Sequence, residues 1–499
     1  MTDVTRAEVE LAAHSHAAGD GVVEEGYDPR LTNSDLAPLR QQGWKSYNFF
    51  AFWMSDVHSV GGYVTAGSLF ALGLAAWQVL IALLVGIVIV YFLCNLVARP
   101  SQVTGVPYPV ASRVAFGVVG ANVPAVIRGL IAVAWYGIQT YLASNALVLL
   151  ALKIDPSWAP YADVTQHGFV GLSTIGWIAF GTMWVLQALV FWRGMQAIRK
   201  FIDFCGPAVY VVMFALAAYL VAEAGGFSEI SLNLGSVEHS GFAAVGVMVS
   251  AVALVVSYFS GPMLNYGDFA RYGTSMAAVK KGNFLGLPVN FLVFAILCVV
   301  TASATVPVYG ELITDPVETV YRIDNLTVAV LGCLTFIIAT IGINIVANFV
   351  SPAFDFSHVS PQRISWRTGG MIAAVGSVLI TPWNLYNSPE TIHYTLDTLG
   401  AFIGPLYGVL IADYYLVKRQ RVEVADLFTM SPAGTYHYRN GWNTVAIGVT
   451  AFAALVAILV VFFTNPTAAS FSWFIGAGLG FGLYLALKNS IPAKAKAQV

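Results

Sequence analysis

Twelve times between residues 47 and 487 the chain runs for about twenty residues on mostly apolar side chains, the length an α-helix needs to cross a hydrocarbon core ~30 Å thick. The runs lie near 47–72, 75–97, 122–150, 169–191, 203–223, 240–266, 284–307, 326–350, 368–386, 396–416, 444–464 and 469–487. No other feature constrains the fold as strongly. Inside a bilayer nothing but protein satisfies the backbone N–H and C=O groups, so a crossing segment is a helix or a strand of a closed barrel. These runs are far longer than barrel strands of about ten residues, and 46 glycines and 13% aromatics are spread through the sequence that holds them. Composition agrees: 58% of the 499 residues are hydrophobic and 10% are charged, against about 25% charged in soluble domains. The expectation is an all-α polytopic membrane protein.

Charge placement tests the count. Connections after the even-numbered spans carry Arg99 and Arg113; Arg193, Arg199 and Lys200; Arg271, Lys280 and Lys281; Arg363 and Arg367; and Lys418, Arg419, Arg421 and Arg439. The opposite connections hold only Lys153 and Arg322, with acids such as Glu229, Glu238, Glu311, Asp315 and Glu318. The positive-inside rule then puts both termini in the cytoplasm. The formal net charge of -2 leaves no electrostatic footprint for nucleic acid. Cys94, Cys205, Cys298 and Cys333 each sit in an apolar run without a partner at short spacing, and read as small packing residues. Residues 1–40 are polar, lack a basic stretch leading into a short apolar core, and read as a disordered or loosely attached tail rather than a cleaved signal. A second short tail spans 489–499.

Polar residues interrupt the spans at particular places. SDVHSVGG, Ser55 to Gly62, puts Asp56, His58, two serines and two glycines inside the first span. A midplane charge costs several kcal/mol, and opened backbone is tolerated in lipid only where it lines a cavity. In the sixth span, VVSYFSGPMLNYGDFARY carries Gly261-Pro262, and proline removes a helix hydrogen bond. Two interruptions five spans apart point to a secondary transporter built from inverted repeats. Each has a plain alternative: a simple kink at Gly261-Pro262, or a histidine that bonds a neighbouring carbonyl. Asp56 is harder to explain by packing, because a buried carboxylate needs a partner or a proton.

The third span contains AVAWYGIQTYLASNAL, with Trp135 and Gln139 four apart on one face. An indole stacks on a flat heterocycle, and a carboxamide both donates and accepts, as an imide edge requires. Asn344 and Asn348 repeat that spacing in the eighth span, again five spans on. Tyr258 and Phe259, beside the second interruption, supply further rings. Such pairs also occur as packing and interhelical hydrogen bonds.

On these stretches the chain resembles the nucleobase:cation symporter-1 family of hydantoin, allantoin, cytosine and uracil permeases. The resemblance rests on LTNSDLAPL, FWMSDVHSV, AWYGIQTYLAS, LNYGDFARY, ANFVSPAFDF and GPLYGVLIADYYLVKR, and covers roughly residues 30–488. It implies twelve transmembrane helices in a LeuT-like 5+5 inverted repeat with discontinuous helices 1 and 6, the repeats at 47–223 and 240–416, and two additional helices at 444–487 in a transporter domain of 41–488. It also implies that Trp135 is the family's stacking indole with Gln139 as its amide partner. The second stacking position falls at Phe259, the substrate asparagine at Asn348, and a first-span polar contact at Ser59. Asn344 and Tyr258 join these as candidates. In the family's sodium-coupled member, first-span carbonyls and two eighth-span hydroxyls hold the ion. The corresponding places here are carbonyls at Ser55, His58 and Ala339, but the hydroxyl positions are Gly342 and Ile343.

The expectation is uptake of a nucleobase or related cyclic ureide, uracil or allantoin leading, by symport in a bacterial inner membrane. Proton coupling through Asp56 or His58 leads, and a sodium-coupled hydantoin, purine or cytosine permease is the alternative. No cofactor and a monomer are expected. A membrane-embedded enzyme would need a nucleophile with its base or a metal cluster at one depth, and only Asp56 and His58 lie close enough to consider. A channel would need a continuous polar path, whereas the spans offer discrete patches.

Overall fold

The computed structural model describes residues 21–232 and 241–491; the first twenty residues with His14 and His16, the loop residue Glu238, and the tail beyond 491 lie outside them. Each expected apolar run is helical. Helix α1 (Ser46–Val57) leads into α2 (Val60–Ser68). Then follow α3 (Ala76–Thr104), α4 (Asn122–Ile154), α5 (Thr174–Trp192), α6 (Met195–Glu223), α7 (Gly241–Leu264) and the short α8 (Gly267–Ala270). The second half holds α9 (Met276–Tyr309), α10 (Pro316–Arg322), α11 (Leu326–Val359), α12 (Trp366–Leu379), α13 (Pro389–Val417), α14 (Thr444–Phe463) and α15 (Ser472–Ala486). Among the described residues, nine helices are long and apolar enough to span a membrane. The remaining three expected spans are the broken α1–α2 and the shorter α12 and α15.

The first interruption is a true break. His58 leaves helical geometry at φ -88°, ψ 31°, and Ser59 is extended at φ -78°, ψ 156°. Ser59 then caps α2, its hydroxyl accepting from Gly62 N at 3.0 Å. The second lies later than expected. Helix α7 continues through Gly261-Pro262 to Leu264, and the chain turns at Asn265–Tyr266 before α8. Pro262 sits in the last turn of α7, where loss of one N–H loosens the ladder without breaking it. The bonds that follow are long, 3.4 Å from Asn265 N to Gly261 O. Two prolines also shape the long helices. Pro288 cannot donate to residue 284 and lies in a π-turn over Leu285–Val289; Pro352 cannot donate to residue 348 and follows one over Val346–Val350. The second π-turn carries Asn348.

Residues 21–40 are not a loose tail. They cross the face that bears the cation-rich loops and tie it together. Tyr27 stacks on Phe428 with centroids 4.4 Å apart. Buried Arg113 donates to Leu31 O at 2.7 Å, Leu427 O at 2.8 Å and His358 Nε2 at 2.9 Å. Burial pushes its guanidinium down to about 9, so it remains a cation at neutral pH. Arg271 donates to the carbonyls of Asp35, Ala37 and Gly105 at 2.7–3.0 Å. The segment holds by backbone carbonyls, which hydropathy does not register.

Helix α15 locks against α13 through missing side chains. A Cβ at Gly404 would stand 2.3 Å from Trp473 O, and one at Gly408 2.2 Å from Ala477 O. Close backbone approach through small residues is how helices associate where lipid offers no hydrophobic contrast.

Candidate functional site

The α1–α2 break, the middle of α4, the end of α7 and the π-turn of α11 converge. Trp135 and Gln139 lie on α4, both buried. Gln139 Nε2 donates to Ser59 Oγ at 3.4 Å, while its Oε1 is buried with no hydrogen-bond partner among the described residues. The same Ser59 hydroxyl lies 3.4 Å from Tyr258 OH. The carboxamide fits there because residue 61 is glycine: a Cβ on Gly61 would stand 2.6 Å from Gln139 Nε2.

The aromatic wall differs from the simple pairing of Trp135 with Phe259. The ring beside Trp135 is Tyr258, edge-on at 5.3 Å and 85°. Phe259 turns instead toward Phe291 at 5.6 Å and Trp53 at 6.5 Å. Adjacent helix positions point about 100° apart, so only one of them can face α4 squarely. A third ring comes from outside the helices: Tyr386, between α12 and α13, meets Trp135 at 5.8 Å and its hydroxyl bonds that of Thr65 on α2.

The two asparagines of α11 do different things. Asn344 Nδ2 is committed to Tyr136 O, Thr140 Oγ1 and Gln187 Oε1 at 2.6–3.0 Å. Its Oδ1 accepts from Asn348 Nδ2 at 3.0 Å. Asn344 therefore orients Asn348, whose carbonyl oxygen has no partner among the described residues. That chain of amides crosses from α5 through α4 to α11.

The residues grouped for cation coupling separate. Ser55 faces α11: its hydroxyl is buried without a partner among the described residues, 2.9 Å from where a Cβ of Gly342 would stand. Ala339 and Ile343 are buried in α11. His58 points the other way, its ring 4.2 Å from Tyr210 on α6 and its Nδ1 2.8 Å from Tyr63 OH. Asp56 is buried within electrostatic reach of Tyr258 on α7 and Cys94 on α3. Ser55 and Asp56 diverge by the ~100° between adjacent helical positions, and His58, which has left helical geometry, turns to a third side.

Sequence reasoning missed Thr340, which accepts from Val60 N at 3.2 Å and so bonds the opened end of α2 to α11. Extending the Asn344–Asn348 spacing back by four would have found it. It also missed Arg128, buried toward the cation-rich face. There Arg128 holds Gly261 O, Asn265 Oδ1 and Ala347 O at 3.0–3.2 Å. Asp268 accepts from Tyr108 N at 2.8 Å. Tyr386 had no periodic signal at all.

A helical membrane body with a broken first helix and unsatisfied amides beside aromatic faces at mid-span is that of a small-solute transporter. Residues 37–481 match the family profile described as permease for cytosine/purines, uracil, thiamine, allantoin, and the chain belongs to that family. It is 33% identical over 466 residues to the allantoin permease of Bacillus subtilis (strain 168), covering 93% of this chain and 94% of that one. It is 29% identical over 478 residues to the putative allantoin permease of Escherichia coli (strain K12), covering 94% and 97%. The fold matches that of Mhp1, a nucleobase-cation-symport-1 family transporter solved in a closed conformation with bromovinylhydantoin bound. The TM-score is 0.74 at 22% identity, over 94% of this chain and 98% of that one. The protein is a transporter, not an enzyme.

Proposed function

We propose that the protein takes up a neutral planar nucleobase or cyclic ureide, allantoin or uracil first, by cation symport across a cytoplasmic membrane with both termini inside. The observation that carries this reading is the buried, unpartnered Gln139 Oε1 one helical turn from Trp135 on α4. A buried carbonyl left unpaired costs ~1–3 kcal/mol, which a ring N–H donor offsets on binding. Gln139 and Asn348 would read the ring's N–H and C=O edges, Trp135 would stack on it, and Tyr258 and Phe259 would border it. Asn344 would hold Asn348 in place, and Ser59 would hold Gln139. Because one chain supplies all of these groups, the monomer is the functional unit.

For the coupling ion we favour the proton. Gly342 and Ile343 bring no side-chain oxygen to the α1–α11 contact, and the Ser55 hydroxyl is the one that faces it at Gly342. A hard cation prefers a full oxygen shell. Asp56 and His58 remain the groups that can exchange a proton. Rocking of one helix group against another around the fixed site would then carry solute and cation together.

The test is uptake of labelled allantoin and uracil into cells expressing the protein, with and without sodium and with a proton uncoupler. Sodium-independent accumulation that collapses with the uncoupler is expected. Strict sodium dependence would refute the proton reading and turn attention to the carbonyls of Ser55, His58 and Ala339. Absence of uptake of both compounds would refute the substrate assignment.

A further inference from the structure

Above the site, on the cation-poor face, lies a cavity of ≈ 520 Å³ walled by α2, α4, the loop before α10 and the segment before α13. Its volume falls within the range of about 300–1,000 Å³ typical of small-molecule sites. Its floor toward the central site is Tyr386, whose hydroxyl is held by Thr65 and whose ring rests 5.8 Å from Trp135. Tyr386 therefore stands between this cavity and Trp135.

Its lining repeats the chemistry below. Tyr141 and Asn145 stand four apart on α4, an aromatic face and a carboxamide at the spacing of Trp135 and Gln139. At 1.5 Å per residue they lie about 9 Å further along the same helix. The Asn145 carboxamide makes no hydrogen bond to the described residues, nor does the Thr314 hydroxyl across the cavity. Asn387 accepts from Thr391 Oγ1 at 3.0 Å and keeps its two N–H donors free. The one carboxylate in the lining, Asp315, is committed to capping α10 through Val317 N at 2.8 Å. Free donors and acceptors, two phenol rings and no uncommitted charge suit a neutral, flat, amide-bearing ring.

We propose that this cavity is a second binding site, which takes the same class of planar amide heterocycle before it reaches the central site. The proposal rests on the transport reading above. It makes the solute's path a two-step one, with Tyr386 as the partition between the steps.

Equilibrium binding of radiolabelled allantoin and uracil to the purified full chain in lipid nanodiscs tests it. The expected result is a two-phase isotherm that reaches two ligands per chain. Trp135→Ala should leave one per chain. Asn145→Leu with Thr314→Val should also leave one, with the central affinity within twofold of wild type, which reports that the variant is folded. Thr314→Val alone should weaken the second phase by at least threefold. One ligand per chain in wild type, wholly lost in Trp135→Ala, would overturn the second site and leave the transport reading intact. Two ligands retained in the double variant would overturn its location here. Binding of neither compound would overturn the transport reading, and this inference with it.

Discussion

Gly61→Ala separates affinity from stability at this site. The added Cβ would stand 2.6 Å from Gln139 Nε2 and 2.7 Å from Oε1, where ordinary contact begins at 3.4 Å. The carboxamide must therefore retreat by about 0.8 Å, the difference between 3.4 and 2.6 Å. A hydrogen bond of ~2.9 Å stretched by that amount is lost. Gln139 can offer one donor and one acceptor to a ring edge, and each neutral bond is worth about 0.5–1.5 kcal/mol. The expected loss is about 1–3 kcal/mol, or roughly 5- to 150-fold in apparent affinity. The fold should not suffer, because the clashing atoms end a flexible side chain and alanine favours a helix over glycine by about 0.5–1 kcal/mol. The assay is competition by unlabelled substrate against labelled uptake, paired with thermal unfolding of the purified variant. In a Gln139→Ala background there is nothing left to displace, so Gly61→Ala should add little; this double-mutant cycle isolates the coupling. An unchanged affinity in Gly61→Ala, or losses that simply add in the double variant, would refute the placement of Gln139 at the ring edge.

Gly480→Ala tests the α13–α15 seam: its Cβ would stand 2.6 Å from the Pro405 carbonyl oxygen, backbone that cannot yield, so thermal unfolding should show a loss of about 1–3 kcal/mol. Gly482→Ala, which meets nothing within 4 Å, should be neutral, and equal effects would refute the close-approach argument. Asp315 gives a pH dependence, since burial pushes its carboxyl up to about 6. The folded state holds that proton more tightly than the unfolded one, so the stabilisation is complete below the ordinary carboxylate range and lost as pH rises through 6. Asparagine caps a helix as well as aspartate does, so Asp315→Asn should add about 1 kcal/mol at pH 8 and almost nothing at pH 4, allowing for partial screening. A shift of equal size at both pH values would count against a carboxyl held partly out of water.

Much of the site was legible before any coordinate. A run such as AVAWYGIQTYLASNAL shows which residues share a face, because 3.6 residues per turn fixes relative direction along one helix. The mixture of charge and glycine in SDVHSVGG marked the break, since lipid tolerates neither without a reason. Pro262 misled by a few residues: a missing N–H matters less in a last turn than in a helix interior. The loose-tail reading of residues 21–40 failed because Arg113 and Arg271 bind that segment through its carbonyls, which every residue has.

Residue order alone implies that the chain crosses a membrane many times, and it shows which loops carry the cations, where the first helix opens, and which amides and rings lie at mid-span. Those follow from hydropathy, helical period and the cost of unsatisfied backbone in hydrocarbon. What stands opposite each of them came from the packing of the helices. It chose Tyr258 rather than Phe259 to face Trp135, set the Ser55 hydroxyl beside Gly342, and brought Tyr386 from a loop to rest between Trp135 and the outer cavity. A helix's own period gives directions about its axis and nothing about its neighbours, and the space beside a glycine has meaning only once the atom that fills it is known.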